Sequence, residues 1–352
     1  MMKMYERKLF SGNYNKVLTI TVPAYKVEKY LKQCLDSFLV EDCLEDLEVL
    51  IIDDGSPDCS RDIALQYQEK FPRTYRVISK ENGGHGSAVN RGIRESRGKY
   101  FKVVDGDDWV DSQALRRLIL FLKENDSDIV WANYWWVDEK SGARQLEMEQ
   151  PFHGVKYGHE YLFEEICSSL YIKMHSMTIR TAILKENQIQ LDENCFYVDT
   201  EYIIYPIPYV RTITFLDIYV YMYRVGLEGQ SVNIRSMQLR ESEHLKVLVS
   251  LLNFYQTNYA QEISSGLEGK RRYYVSQMIN RVIASQFKIY LSFGPQKEKK
   301  EKIRKLDKEL KEQYPILYSE QKNKVVRFLR KTRFCLYRPV AFAVWVFLIK
   351  KG

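Results

Sequence analysis

Apolar positions along the chain follow two alternating periods, and the order of those periods predicts an α/β fold. Val17-Leu18-Thr19-Ile20-Thr21-Val22 has the period of a strand, stopped by Pro23. Tyr30, Leu31, Leu35 and Phe38 then recur at helical spacing. Leu47-Glu48-Val49-Leu50-Ile51-Ile52 is a nearly continuous apolar run, as a parallel strand covered on both faces requires. It ends in Asp53-Asp54-Gly55-Ser56-Pro57-Asp58, a turn and helix N-cap, and a helix over 59–70 leads to a third strand at Tyr75–Ser79. After the glycine-rich residues 82–86 a helical period runs to about residue 97, and Phe101-Lys102-Val103-Val104 forms a fourth strand. Strands and helices alternating at this spacing predict a parallel sheet wound by right-handed crossovers. A helix over 111–124, an aromatic strand over 128–137 and a strand over 212–224 follow. Residues 140–195 are mixed, and from Leu239 the pattern is helical to about residue 313. The expected division is an α/β domain over 1–235 and a helical region over 236–352.

The chemistry gathers where the strands end. Lys99-Tyr100-Phe101-Lys102-Val103-Val104 runs straight into Asp105-Gly106-Asp107-Asp108-Trp109. In open α/β sheets the carboxyl edge is where ligands bind. A turn at Gly106 aims Asp105 and Asp107 at one point, and a hard divalent cation relieves the repulsion between two such carboxylates. Alone, Asp-x-Asp also fits an acidic, solvated turn that caps the helix starting near Asp111. At the end of the second strand, an Asp53 or Asp54 carboxylate suits the imide N–H of a pyrimidine base, while capping by Asp54 or Ser56 is the plainer role. Tyr25, after Pro23, either flanks such a base or is a rim aromatic. Asn82-Gly83-Gly84-His85-Gly86 opens a helix and resembles a phosphate cradle, because backbone N–H groups there face an anion. Arg91 and Arg94 on that helix are either phosphate contacts or solvated surface.

Composition adds bounds rather than a function. At 352 residues, 45% hydrophobic and 28% charged, the chain is globular and long enough for a full core. The net charge of +7 is uneven: residues 296–352 hold 17 Lys and Arg against 6 Asp and Glu, a local +11 that leaves −4 for residues 1–295. Six cysteines show no metal-site spacing and are expected reduced. Residues 1–15 have no apolar core of a signal peptide, and no apolar run is long enough to span a bilayer. Residues 322–338 interleave basic and apolar positions, 340–349 are wholly apolar, and Lys350-Lys351 follow. That tail suits an interfacial anchor on anionic lipid, with a buried C-terminal helix as the plainer reading.

Taken in order, P-x-Y after strand one, I-I-D-D-G-S after strand two, N-x-G-x-x-x-A-x-N-x-G (Asn82, Gly84, Ala88, Asn90, Gly92), then G-K-Y and D-x-D-D resemble the family 2 glycosyltransferases of the GT-A fold, of the bacterial cell-surface polysaccharide type. The resemblance covers residues 16–112 and, less closely, 196–232. It implies a Rossmann-like, mostly parallel sheet with flanking helices. It also implies an inverting transfer from a nucleotide sugar, usually a UDP sugar, to a hydroxyl of a glycan or lipid-linked acceptor. Asp54 would read the base, Asp105 would lie near the ribose, and Asp107, with Asp105 as a second candidate, would hold Mg²⁺ or Mn²⁺. Pro23, Tyr25, Asp53, Asn82, Gly84, Asn90 and Arg224 complete the expected donor site; Trp109, Asp108 and Gln230 are expected at the acceptor. The family's Glu-Asp pair falls on Val198-Asp199, so Asp199 is the expected general base and Glu201 the fallback; Val89 stands where the family often has Arg. Trp131, Trp135 and Trp136 are either sugar platforms or core. The implied partners are donor, acceptor and an anionic membrane surface, with no nucleic acid, and the implied location is the cytoplasmic face of the plasma membrane. A sugar nucleotidyltransferase and a catalytically silent subunit of a polysaccharide assembly remain as alternatives.

Overall fold

All seven residues of Leu47–Asp53 are buried, and the sheet grows outward on both sides of that run. The computed structural model describes residues 15–146, 154–227, 230, 233–259 and 266–349. Its strands are β1 (Lys16–Ala24), β2 (Leu47–Asp53), β3 (Tyr75–Ser79), β4 (Gly98–Val103), β5 (Trp109–Val110), β6 (Ile129–Asp138), β7 (Arg144–Gln145), β8 (Glu160–Leu162), β9 (Met177–Arg180) and β10 (Thr212–Val225). They form one sheet in the order β3-β2-β1-β4-β9-β6-β10-β5, with β7 on β6 and β8 on β10. The first four strands are parallel, joined by the helices Glu28–Asp36, Ser60–Lys70 and Gly84–Glu95. The chain steps from β1 outward to β3, then returns to place β4 on the other side of β1. That reversal opens a crevice at the carboxyl ends of β1 and β4.

Two expectations change. Pro23 does not stop β1, which runs on to Ala24 and pairs Pro23 with Ile52. Proline is tolerated in this central strand because it faces the side where β4 has already ended, so no ladder bond needs its missing N–H. Its carbonyl still accepts from the Gly106 N–H. The sheet is also mixed rather than parallel past β4. From the patternless 140–195 stretch comes β9, which inserts antiparallel to both β4 and β6.

Each sheet face has its own core. Leu18, Ile20 and Val22 of β1 pack with Leu31, Leu35, Leu115 and Leu118 of two helices on one face. On the other, Phe101, Val103, Ile129, Trp131 and Phe215 share a cluster with Val247, Leu251, Tyr274, Val275 and Phe287 of the helices Glu241–Tyr259 and Leu267–Ser292. The tail joins that second cluster in part: Val326, Leu329, Phe334, Tyr337 and Ala341 are buried in it. Residues 322–349 are therefore core on one side and surface on the other, while Lys350 and Lys351 lie outside the described residues. The six cysteines form no disulfide with one another.

Candidate functional site

Beyond Val103 the chain turns at Asp105-Gly106-Asp107-Asp108, leaving capping of the helix Ser112–Glu124 to Asp111, whose carboxylate accepts from the Ala114 N–H at 2.9 Å. Asp105, Asp107 and Asp108 thus bring carboxylate oxygens within 4.8 Å of one another. Asp108 is the buried member: its oxygens accept from the Tyr221 hydroxyl at 2.6 Å and the Arg224 N–H at 2.7 Å. Burial, and then the neighbouring acids, hold its carboxyl well above the usual range. Asp107, half-buried, is pushed up to about 6 by burial and by Asp105. Burial works to raise Asp105 too, but the His85 ring, 2.8 Å away, overrules it and keeps that carboxyl below the ordinary range. An all-oxygen donor set under mutual repulsion fits a hard divalent cation. Asp107 and Asp105 are the members with capacity for it, since Asp108 is committed to Tyr221 and Arg224.

The glycine-rich loop reaches the same point from β3. Gly84 begins the helix Gly84–Glu95 at φ +82°, which favours glycine, and a Cβ on Gly86 would stand 2.0 Å from the Asp192 carbonyl oxygen. Asp54 anchors this loop. Its carboxylate accepts from the Gly83 and Gly84 N–H groups at 3.0 and 2.8 Å and pairs with Lys80 at 2.6 Å. It therefore caps the helix from across the loop. Asp53 accepts from the Ser56 N–H, and Asn82 donates to the Asp54 carbonyl, so both shape the same turn. Asn90 is likewise committed inward, bonding the Leu191 N–H and carbonyl and the Glu193 carboxylate. Tyr25 remains exposed just beyond the end of β1.

Asp199 opens the helix Asp199–Ile204, is exposed, and lies close enough to His85 and Asp105 to feel their charges. Desolvation by surrounding protein raises its carboxyl above the ordinary aspartate range, opposed by the nearby His85 charge and reinforced by Asp105. His85 is lifted above its usual range by Asp105, Asp199 and Asp107 although burial opposes its charge. Glu201 points elsewhere. It is fully buried, accepting from the Asp192 N–H at 2.7 Å and the Tyr205 hydroxyl at 3.1 Å, and burial pushes it up to about 7. A folded-state value above the unfolded one means that the fold binds this proton more tightly. Stability should therefore fall as pH rises from about 4.5 to about 7, by about 3 kcal/mol. Glu201→Gln should flatten that part of a thermal-unfolding profile against pH; an unchanged profile would refute the assignment.

Where β10 meets the acidic turn, Arg224 is the centre of packing. Its guanidinium lies 4.6 Å from both the Tyr30 and Trp109 ring centres, donates to the Asp107 carbonyl and Gln33, and pairs with Glu139. Gln230 donates to the Arg224 carbonyl and accepts from the Gly226 and Leu227 N–H groups. Arg224, Asp108 and Gln230 thus hold the acidic turn against β10. Trp109 keeps a half-exposed ring, on an open groove also lined by Lys29, Gln33 and Ser37. Trp131 is core, and Trp135 stacks on Tyr219.

Residues 19–186 match the model of glycosyl transferase family 2. Residues 19–186 form a family 2 glycosyltransferase domain. EpsJ of Bacillus subtilis, named an uncharacterized glycosyltransferase, is 41% identical over 119 residues, 34% of this chain and 34% of its own. The poly(ribitol-phosphate) beta-glucosyltransferase of Bacillus spizizenii is 40% identical over 115 residues, 32% of this chain and 18% of its own. The chain thus spans about a third or less of these relatives. Residues 1–349 of S. aureus TarS, crystallised with UDP-GlcNAc, share the fold at a TM-score of 0.66 and 19% identity, over 92% of this chain and 90% of that one.

Within the family 2 domain, two residues of the site carry no motif of their own. His85 is one position of a glycine-rich loop, and Lys80 precedes that loop. A histidine between two glycines at a helix start was the available signal for the first. Asp199 and Arg224 lie beyond the family 2 match, and the fold alone brings them to the acidic turn.

Proposed function

We propose that this chain transfers a sugar from a nucleotide diphosphate sugar, a UDP sugar by preference, to a hydroxyl of a glycan or lipid-linked acceptor, inverting the anomeric carbon. The observation that carries the reading is the acidic turn, with carboxylate oxygens within 4.8 Å, set at the switch point of the sheet. Tyr25 and the glycine-rich loop flank that turn on the donor side, and Asp199 feels Asp105 and His85 from the other. When held by Asp107 and Asp105, Mg²⁺ or Mn²⁺ supplies neutralisation of the charge that develops on the leaving diphosphate. Asp199 takes the proton from the acceptor hydroxyl as its oxygen attacks the anomeric carbon, and a raised carboxyl value makes it the stronger base. The sugar–phosphate bond breaks in the same displacement and its electrons leave with the nucleoside diphosphate, so an α-linked donor yields a β-linked product. Asp54 and Lys80 keep the loop in place, and Asp108, Tyr221 and Arg224 keep the acidic turn in place.

TarS, the fold neighbour, carries UDP-GlcNAc, and the Bacillus spizizenii relative is named for a cell-surface polymer; both support a UDP sugar and cell-surface polysaccharide synthesis. In this reading residues 1–235 are the catalytic domain and 236–352 a helical region, working at the cytoplasmic face of the membrane. Incubation with UDP sugars and Mn²⁺ should release UDP. Release of pyrophosphate would point to a nucleotidyltransferase, and no release from any donor would point to a silent subunit.

A further inference from the structure

The helix Tyr337–Ile349 is apolar all round its circumference past Arg338, yet the protein covers it on one side. Tyr337 and Ala341 are buried and Val340 and Val344 pack on the core, while Phe342 is 53% and Trp345 38% exposed. A helix apolar all round is at rest only when it is covered all round. Arg338, Phe342 and Trp345 follow at i, i+4 and i+7 and share one exposed side. The preceding helix, Lys324–Lys331, repeats the division, with Val326 and Leu329 buried and Phe328 45% exposed, and Leu336 between the two helices is 43% exposed.

The charge around this face has one sign. Residues 321–352 hold nine Lys and Arg and no Asp or Glu. Arg330 is taken up by Asp307 at 2.6 Å, and Lys322 donates to the Tyr273 hydroxyl. Lys324, Arg327, Lys331, Arg333 and Arg338 are exposed and pair with no carboxylate among the described residues. Exposed apolar side chains ringed by unpaired cations complement a surface with an oily interior and an anionic skin. No helix among the described residues is long and apolar enough to cross a membrane.

We propose that the outer face of residues 324–347 docks on an anionic lipid surface, with Phe328, Leu336, Phe342 and Trp345 entering the headgroup boundary and the five cations meeting lipid phosphates. This face is argued from its own residues and does not depend on the transferase reading. Truncation would be a poor test, because Val326, Leu329, Tyr337 and Ala341 are core. Full-length chain should instead be floated with phosphatidylcholine vesicles, with and without phosphatidylglycerol. Wild type should bind the phosphatidylglycerol vesicles, and added salt should weaken that binding without abolishing it. Lys331→Glu with Arg333→Glu should weaken it on the order of 10-fold or more. Phe342→Ser with Trp345→Ser should do so as well, and thermal unfolding shows whether that pair keeps its fold; if it does not, the charge pair decides. Absence of wild-type binding, or binding that ignores both lipid charge and the Lys331 and Arg333 changes, would overturn the proposal. So would a wild-type dimer in sedimentation that Phe342→Ser with Trp345→Ser converts to monomer, since the face would then join two copies. Vesicle binding by a chain that cleaves no donor would leave this surface standing and remove the transferase reading; cleavage without vesicle binding would do the reverse.

Discussion

Asp107→Asn is expected to cut sugar transfer by at least ~10²-fold, the scale of losing one preorganised charge-stabilising group. Asp107 is the acid with spare ligand capacity that the surroundings press hardest: burial and Asp105 together hold its carboxyl near 6. Asparagine keeps its size but offers a neutral oxygen, so a hard cation is held more weakly and the leaving diphosphate keeps its charge. The same change removes a repelled charge from the metal-free protein. Its melting temperature at pH 7 should therefore be no lower than that of wild type, which separates lost chemistry from lost fold. EDTA should silence wild type, and added Mn²⁺ should restore it. Full UDP release in chelator would sink the metal-assisted mechanism.

Asp199→Asn should lower turnover by ~10²-fold or more while donor binding stays within a few-fold, as expected when a general base is lost but the donor pocket is not. Glu201→Gln should behave in the opposite way. Glu201 touches the Asp192 N–H and Tyr205, both reachable by a glutamine, and has no contact with the acidic turn. Its effect should appear in stability against pH, with turnover little changed. Kinetics of the two variants with one donor decide the matter; a crippled Glu201→Gln beside a mild Asp199→Asn would reverse the assignment.

Where backbone period governs, the sequence was legible. Leu47–Asp53 reads as a doubly covered strand and is one, because each of its residues is buried and an apolar run is the only pattern that fits. The Gly84–Glu95 helix was visible through its glycines, which close contacts with Asp192 and Thr21 demand at Gly86 and Gly92. What escaped was non-local. Strand β9 has four residues and is held between β4 and β6 by pairing partners tens of residues away, so no local period announces it. The individual tasks of the site residues escaped for the same reason. Asp54 and Asn90 each sit where a motif places a ligand contact, but their hydrogen bonds run to backbone brought in by the fold. A motif marks where polar groups converge; tertiary structure decides which of them face the crevice.

The most direct test of the account is the identity of the first products from an α-linked UDP sugar, followed by proton NMR with Mn²⁺ present. Transfer or slow hydrolysis by one displacement assisted by Asp199 predicts UDP together with a sugar that appears first as the β-anomer. A sugar that appears first as the α-anomer, or pyrophosphate in place of UDP, would contradict it.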